Sequence, residues 1–413
     1  MKNALRRLLW KRGGFQAALA VRLAELPLRV LVGAVARLVP RDPRLWAFGA
    51  ARERFGDNTA YVYLSLSAHS SPNRCVWITG SSSLVDRLRA AGLAAERRWS
   101  YRGVLTCLRA GSFVVSSYTS DVNRWLADGA QVVNLWHGVP LKRIERDIVG
   151  GPLQRIYDDR QPAKIAFRDQ TRPPDLLLAP SSYIAERCFM SAFAIPRDRC
   201  LPFGYPRTDH FFDPPEAPPH ELLVADAATW HDVRRRKRVV GYFPTWRDGR
   251  IAEATPRALD LERFAAGVAE LGGHLVFKAH IVTIAPPPVP GATTLGQRDD
   301  ADAYLPLCDV LVTDYSSLAF DFMLLDRPIV YFVPDIDDYT RYRGFYFDPL
   351  EMMPGPLVGD PEQLVSHVSA ALDGATDPRL DEVRRLVWAD YSGGASARLG
   401  EVLGGESTRS ATA

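Results

Sequence analysis

The sequence predicts an α/β protein of two similar-sized domains, each a parallel sheet with helices on both faces. Three observations predict it. From about residue 45, short apolar runs alternate with segments of 3.6-residue periodicity, the pattern of successive βαβ units. A stretch rich in proline and charge at 213–238 interrupts that alternation, which then restarts. The length, 413 residues, exceeds what one core normally organises. The boundaries that follow are a basic amphipathic segment 1–44, a first domain 45–212, a second domain 236–400 and a disordered tail 401–413.

The first segment holds ten Lys and Arg against Glu25 and Asp42 within residues 1–45, about +8, although the whole chain is only +3. So small a total gives no reason to expect nucleic acid as a partner. Arg22, Glu25, Arg29 and Arg37 interrupt the apolar run 15–39, which is therefore too charged to span a bilayer or to be a secretory signal. Two readings remain. The segment lies on an anionic inner leaflet, each cation near the surface contributing about 1 kcal/mol, or it packs on the protein's own core with its arginines in water. Five scattered cysteines without a CxxC pair fit a reducing cytoplasm and exclude a disulfide framework or a zinc site.

In the first domain the strands are LWAFGA (45–50), RCVWITG (74–80), SFVVSS (112–117), QVVNLW (131–136), DLLLAPS (175–181) and the start of CLPFGYPRTD (200–209). Helices are expected over DNTAYVYLSLSAH, SLVDRLRAAGL and TSDVNRWLADG. In the second domain the strands are RVVGYFPTW (238–246), GGHLVFKAH (272–280), TTLG (293–296), DVLVTDYSS (309–317) and RPIVYFVPD (327–335). LDLERFAAGVAEL, DADAYLPL and LAFDFMLL fill the intervals as helices. Ligands of such sheets sit beyond the carboxyl ends of the strands, so unusual residues there carry the chemistry.

At one such end, NLWHGVPLKRI (134–144) places His137 after a strand, with Gly138 to turn the chain and Pro140 to stiffen it. A neutral imidazole there can take a proton from an attacking alcohol, and Lys142 and Arg143 can attract a phosphorylated acceptor. The plainer alternative is a histidine bonded to a backbone carbonyl. In DVLVTDYSSLAFDF the strand ends at Thr313 and Asp314, and Ser316 and Ser317 stand where a helix starts, where free N–H groups and hydroxyls form a socket for phosphate. Plain N-capping needs only one serine. FKAH sets Lys278 and His280 at another strand exit, YFPTWRD ends in Arg247, whose planar fork matches phosphate or packs on Trp246, and Arg341 and Arg343 lie in an aromatic loop before Gly344.

Taken in order, NLWHGVPLKRI, GYPRTD, YFPTWRD, FKAH, VTDYSS and RPIVYFVPDIDDYTRYRGFYFD resemble the CDP-glycerol glycerophosphotransferases that polymerise teichoic acids and capsule polymers, over about residues 45 to 400. The resemblance implies a GT-B fold, two Rossmann-like domains with the active site in the cleft between them. It implies transfer of a glycerol phosphate unit from CDP-glycerol to a hydroxyl of a lipid-linked polymer, with CMP leaving, by a cytoplasmic enzyme peripheral to the membrane. His137 is then the base, and His280, in the other lobe, holds the donor's diphosphate together with Arg247, Ser316, Ser317 and Arg343. No cofactor is implied, and no acidic cluster suggests a metal. Val139 replaces the threonine of the family's usual HGTPLK, which leaves CDP-ribitol or another CDP-polyol open as donor. Two other readings are a glycosyltransferase of the same fold using a nucleotide sugar, and a non-catalytic scaffold on the membrane surface.

Overall fold

In the computed structural model the described residues are 14–68, 73–149, 154–157, 163–213, 216–245, 259–279, 288–336 and 344–410. Seven strands, β1 Asp42–Gly49, β2 Arg74–Thr79, β3 Ala95–Arg97, β4 Ala110–Val115, β5 Gln131–Asn134, β6 Leu176–Ala179 and β7 Cys200–Pro202, form the first sheet in the order β3-β2-β1-β4-β5-β6-β7. Six more, β8 Val239–Tyr242, β9 His274–Phe277, β10 Ala292–Thr294, β11 Val310–Thr313, β12 Ile329–Phe332 and β13 Leu357–Val358, form the second in the order β10-β9-β8-β11-β12-β13. All pairings within both sheets are parallel. The strands are apolar runs because helices cover both faces. In each sheet the order reverses once, between β1 and β4 and between β8 and β11, and a crevice opens beyond the carboxyl ends at such a point.

The helices used below are α1 Gly14–Leu38, α2 Asp57–Ala68, α3 Leu318–Phe322 and α4 Ala395–Ser410. The tail expected at 401–413 is instead helical through Ser410, and Leu399 and Leu403 are buried. Gly400 admits this packing, since a Cβ there would lie 2.8 Å from Leu66 on α2. Residues 411–413 lie outside the described residues.

TSDVNRWLADG holds only the 3-10 turn Thr119–Asp121. The carboxylate of Asp121 accepts from the N–H of Ser117 at 2.9 Å and Asn123 Oδ1 from that of Trp125 at 3.0 Å, local bonds that compete with a helix. DADAYLPL is likewise two 3-10 turns, divided at Tyr304, with Pro306 inside the second.

Arg22 and Arg29 of α1 turn inward, whereas Arg37, near its end, is exposed and pairs with Asp128 at 3.1 Å. Arg22 pairs with the buried Asp169, Arg29 approaches the same carboxylate at 3.6 Å, and Glu25 pairs with Arg124 at 2.6 Å. Arg41, just beyond the helix, donates to the carbonyls of Cys107, Ala110, Leu126 and Asp128. Val21, Leu28, Leu31, Val35 and Leu38 are exposed instead. Neither reading of this segment anticipated cations turned inward and an apolar stripe turned out. Lys2, Arg6, Arg7, Lys11 and Arg12 lie outside the described residues. No helix among the described residues is long and apolar enough to cross a membrane.

Candidate active site

β5 delivers His137 through a turn built by two buried asparagines. Asn134 Oδ1 accepts from the N–H of Trp136 at 2.9 Å while its Nδ2 donates to Ser117 O at 2.9 Å. Asn58, second residue of α2, donates from Nδ2 to the carbonyls of Leu135 and Trp136, both at 3.1 Å. So held, Trp136 adopts φ 48°, a left-handed conformation that side chains avoid unless their surroundings fix it. Phe189 and Phe193 meet its ring edge-on, the former from the π-helical turn Ala185–Phe189.

His137 is exposed where residues 132–141 are otherwise buried. Its Nδ1 lies 3.1 Å from Ser116 O and 3.3 Å from Ser117 Oγ, beyond the end of β4. A carbonyl can only accept, so Nδ1 carries the proton and Nε2 keeps a lone pair. The ring is thus anchored to a carbonyl, as the plainer alternative has it, and still reaches solvent. Withdrawal from bulk water in the crevice lowers its pKa, as do Arg207 and Arg52, against Asp57 and the Ser116 bond. The ring is therefore neutral at physiological pH.

The second sheet brings its β11 turn to the same place. Gly138 has φ 153°, and a Cβ on it would fall 2.5 Å from Ser317 Oγ. The chain can turn there only without a side chain. Ser316 and Ser317 divide the two roles that a serine can have here: Ser316 Oγ accepts from the N–H of Leu318 at 3.3 Å as a cap, and Ser317, which makes no capping bond, faces the His137 turn. Two expected donor contacts are engaged within the fold. Thr313 is fully buried and its hydroxyl donates to Phe243 O at 2.7 Å. Asp314 is 2% exposed, and both its oxygens accept from the N–H of Thr245 at 3.0 Å. It thereby holds the chain at Thr245.

Lys142 and Arg143 lie where the two domains join. Lys142 forms an antiparallel bridge with Phe345, the N–H of Arg143 donates to Gly344 O at 3.1 Å, and Arg143 Nε to Phe345 O at 3.4 Å. Arg143 remains exposed. Lys278 is buried, with Nζ donating to Gly296 O at 2.7 Å; burial, then Arg54, lowers its pKa to about 8. His280, Arg247, Arg341 and Arg343 lie outside the described residues. Among the described residues no three His, Cys, Asp or Glu converge as a metal site.

The family model for CDP-glycerol:poly(glycerophosphate) glycerophosphotransferases matches residues 32–403. The chain belongs to that family. It is thereby a transferase, and the two sheets are the lobes of a GT-B fold. Among its relatives are the teichoic acid glycerol-phosphate transferase of Staphylococcus aureus, 27% identical over 76% of this chain and 80% of that protein, and the teichoic acid poly(glycerol phosphate) polymerase of Bacillus spizizenii, 26% identical over 85% and 88%. A solved structure of the wall teichoic acid polymerase TagF superposes with a TM-score of 0.74 at 21% identity, covering 97% of this chain and 99% of that one.

For this glycerophosphotransferase, sequence reasoning missed the groups that hold the His137 turn. Asp121 gathers the Ser116 hydroxyl and the Ser117 and Tyr118 N–H groups, and burial still raises its pKa to about 7. Glu145, φ 51°, accepts from the hydroxyls of Tyr118 at 2.7 Å and of Tyr157, and burial raises it also to about 7. Arg52, Glu53 and Asp57 share the left-handed φ of Trp136 and Glu145, all on the carboxyl rim of the first sheet. The available signal was polar residues at consecutive strand ends, SS at 116–117, N at 134 and DN at 57–58.

Proposed function

We propose that the protein moves glycerol phosphate from CDP-glycerol to a hydroxyl on a teichoic-acid-type polymer held at the membrane. The observation that carries this reading is His137, its Nδ1 fixed on Ser116 O and its Nε2 unprotonated, across from Ser317. Nε2 takes the acceptor's proton as that oxygen bonds to the β-phosphorus, and the bond from that phosphorus to the bridging oxygen breaks, releasing CMP. Positioning and positive charge on the transferring group supply most of the acceleration in such reactions.

On this reading the Ser317 hydroxyl faces the donor's diphosphate, and Lys142 and Arg143 lie toward an anionic acceptor. Arg247, His280 and Arg343 keep the donor roles that the sequence motifs assign. The chain's own cations meet the developing charge, so turnover should persist in EDTA. Incubating the protein with a panel of CDP-alditols and a polyol-phosphate acceptor and measuring CMP tests the reading; release from none of them sinks it.

The membrane contact of this reading is the apolar stripe of α1, as Arg22 and Arg29 of that helix are engaged inside. A stripe of Val and Leu at spacings of 7, 3, 4 and 3 residues from Val21 to Leu38 lies along one side of a helix, the form that enters the interface of a leaflet. The acceptor would then reach the cleft from the inner face.

A further inference from the structure

Arg207 is 2% exposed and stands between the two lobes. Its Nη1 donates to Asp57 Oδ1 at 2.8 Å, in the first lobe, and its Nε and Nη2 donate to Asp321 Oδ2, in the second, at 3.1 and 2.7 Å. Asp302, also from the second lobe, comes within 3.7 Å of Nε, and the guanidinium carbon lies 4.9 Å from the centre of the Tyr205 ring. One fork thus takes carboxylates from both sides. Three carboxylates around one cation is more than it can neutralise, and one oxygen each of Asp302 and Asp321 has no hydrogen-bond partner among the described residues.

Each partner continues to the site. Asp321 belongs to α3, whose N-cap is Ser317. Asp57 begins α2 beside Asn58, which holds the carbonyls of Leu135 and Trp136 and accepts the N–H of Arg207 at 3.3 Å. A Cβ on Gly138 would lie 3.6 Å from Arg207 Nη2. The guanidinium therefore backs both the His137 turn and the Ser317 turn.

We infer that Arg207 is a positioning residue for the transfer: through Asp57 and Asp321 it sets the separation of His137 from Ser317 across the cleft. The inference rests on the reaction proposed above. It also bears on the base's charge. Among the described residues the charged groups facing His137 are Asp57 from α2, Arg207 from the turn Pro206–Phe212 and Arg52 from the turn Ala51–Glu53. Removing Arg207 leaves Asp57 less opposed and raises the proton affinity of the imidazole.

The test is kcat and KM for CDP-glycerol, from CMP release across about pH 5–9, with thermal melting in parallel, on the full chain. Arg207→Lys keeps the charge and loses the fork; it should lower kcat by about 100-fold with KM little changed. Arg207→Gln should also move the acid limb of kcat to higher pH. Because that variant leaves buried carboxylates unpaired, the charge-balanced Arg207→Gln/Asp321→Asn serves as the folded counterpart, with kcat still depressed. A folded Arg207→Lys protein with wild-type kcat and acid limb overturns the inference, as does recovery of kcat in the double variant. Wild-type protein that releases no CMP overturns the reaction instead, which keeps the two failures apart.

Discussion

The Nδ1 atom of His137 lies 3.1 Å from the carbonyl oxygen of Ser116, at the end of the neighbouring strand. That contact fixes the tautomer, and the crevice around it disfavours the imidazolium. Since the active form is unprotonated, activity should stay level through neutral pH and fall only below the ordinary imidazole value of about 6.5. A pH profile of kcat is the check, and an acid limb above that value contradicts the assignment.

Stability should follow the opposite slope. Glu145 and Asp121 hold their protons in the fold up to about pH 7, whereas unfolded carboxyls release theirs near pH 4. Between those values the folded state binds more protons, so stability falls as pH rises through that window and is flat below it. Glu145→Gln mimics the protonated group, so melting should show it close to wild type near pH 5 and more stable than wild type at pH 8.

Gly138→Ala combines an unfavourable φ with a Cβ 2.5 Å from Ser317 Oγ. A loss of about 1–3 kcal/mol is expected from strain alone, together with loss of turnover. Adding Ser317→Gly removes the clash but not the strain, so it should restore part of the stability by denaturant titration.

The residues at the β11 end should separate by role. Thr313→Val and Ser316→Ala each cost about 1 kcal/mol of stability with kcat/KM for CDP-glycerol nearly unchanged. Ser317→Ala should melt like wild type and raise KM. Equal kinetic losses in all three would return Thr313 to the binding surface.

On α1, Leu31→Glu or Val35→Glu should abolish co-sedimentation with vesicles of anionic phospholipid while leaving stability within about 0.5 kcal/mol. Arg22→Ala should do the reverse, because it leaves the buried Asp169 with the longer contact from Arg29, at a cost of about 1–3 kcal/mol.

Much of this architecture was legible in the sequence, since period and strand-end punctuation report local geometry. The long strands and the turns at His137 and at Ser316–Ser317 were found that way. Strands β3 and β13, of three and two residues, are too short to show a period. Composition placed α1 as basic and amphipathic but could not say which face turns inward, because Asp169 lies 147 residues from Arg22. Position at a strand end likewise does not reveal that the hydroxyl of Thr313 and the carboxylate of Asp314 are already engaged by the adjoining chain at Phe243 and Thr245. Arg207 was seen only as part of GYPRTD, as its partners Asp57 and Asp321 lie 150 and 114 residues away.

The most direct measurement is single-turnover release of CMP from CDP-glycerol, with acceptor, by His137→Ala. The side chain is exposed, so the variant should melt like wild type and bind the donor, with the rate down by about 10²–10⁴-fold. A folded variant that transfers at the wild-type rate contradicts the assignment of His137 as the base.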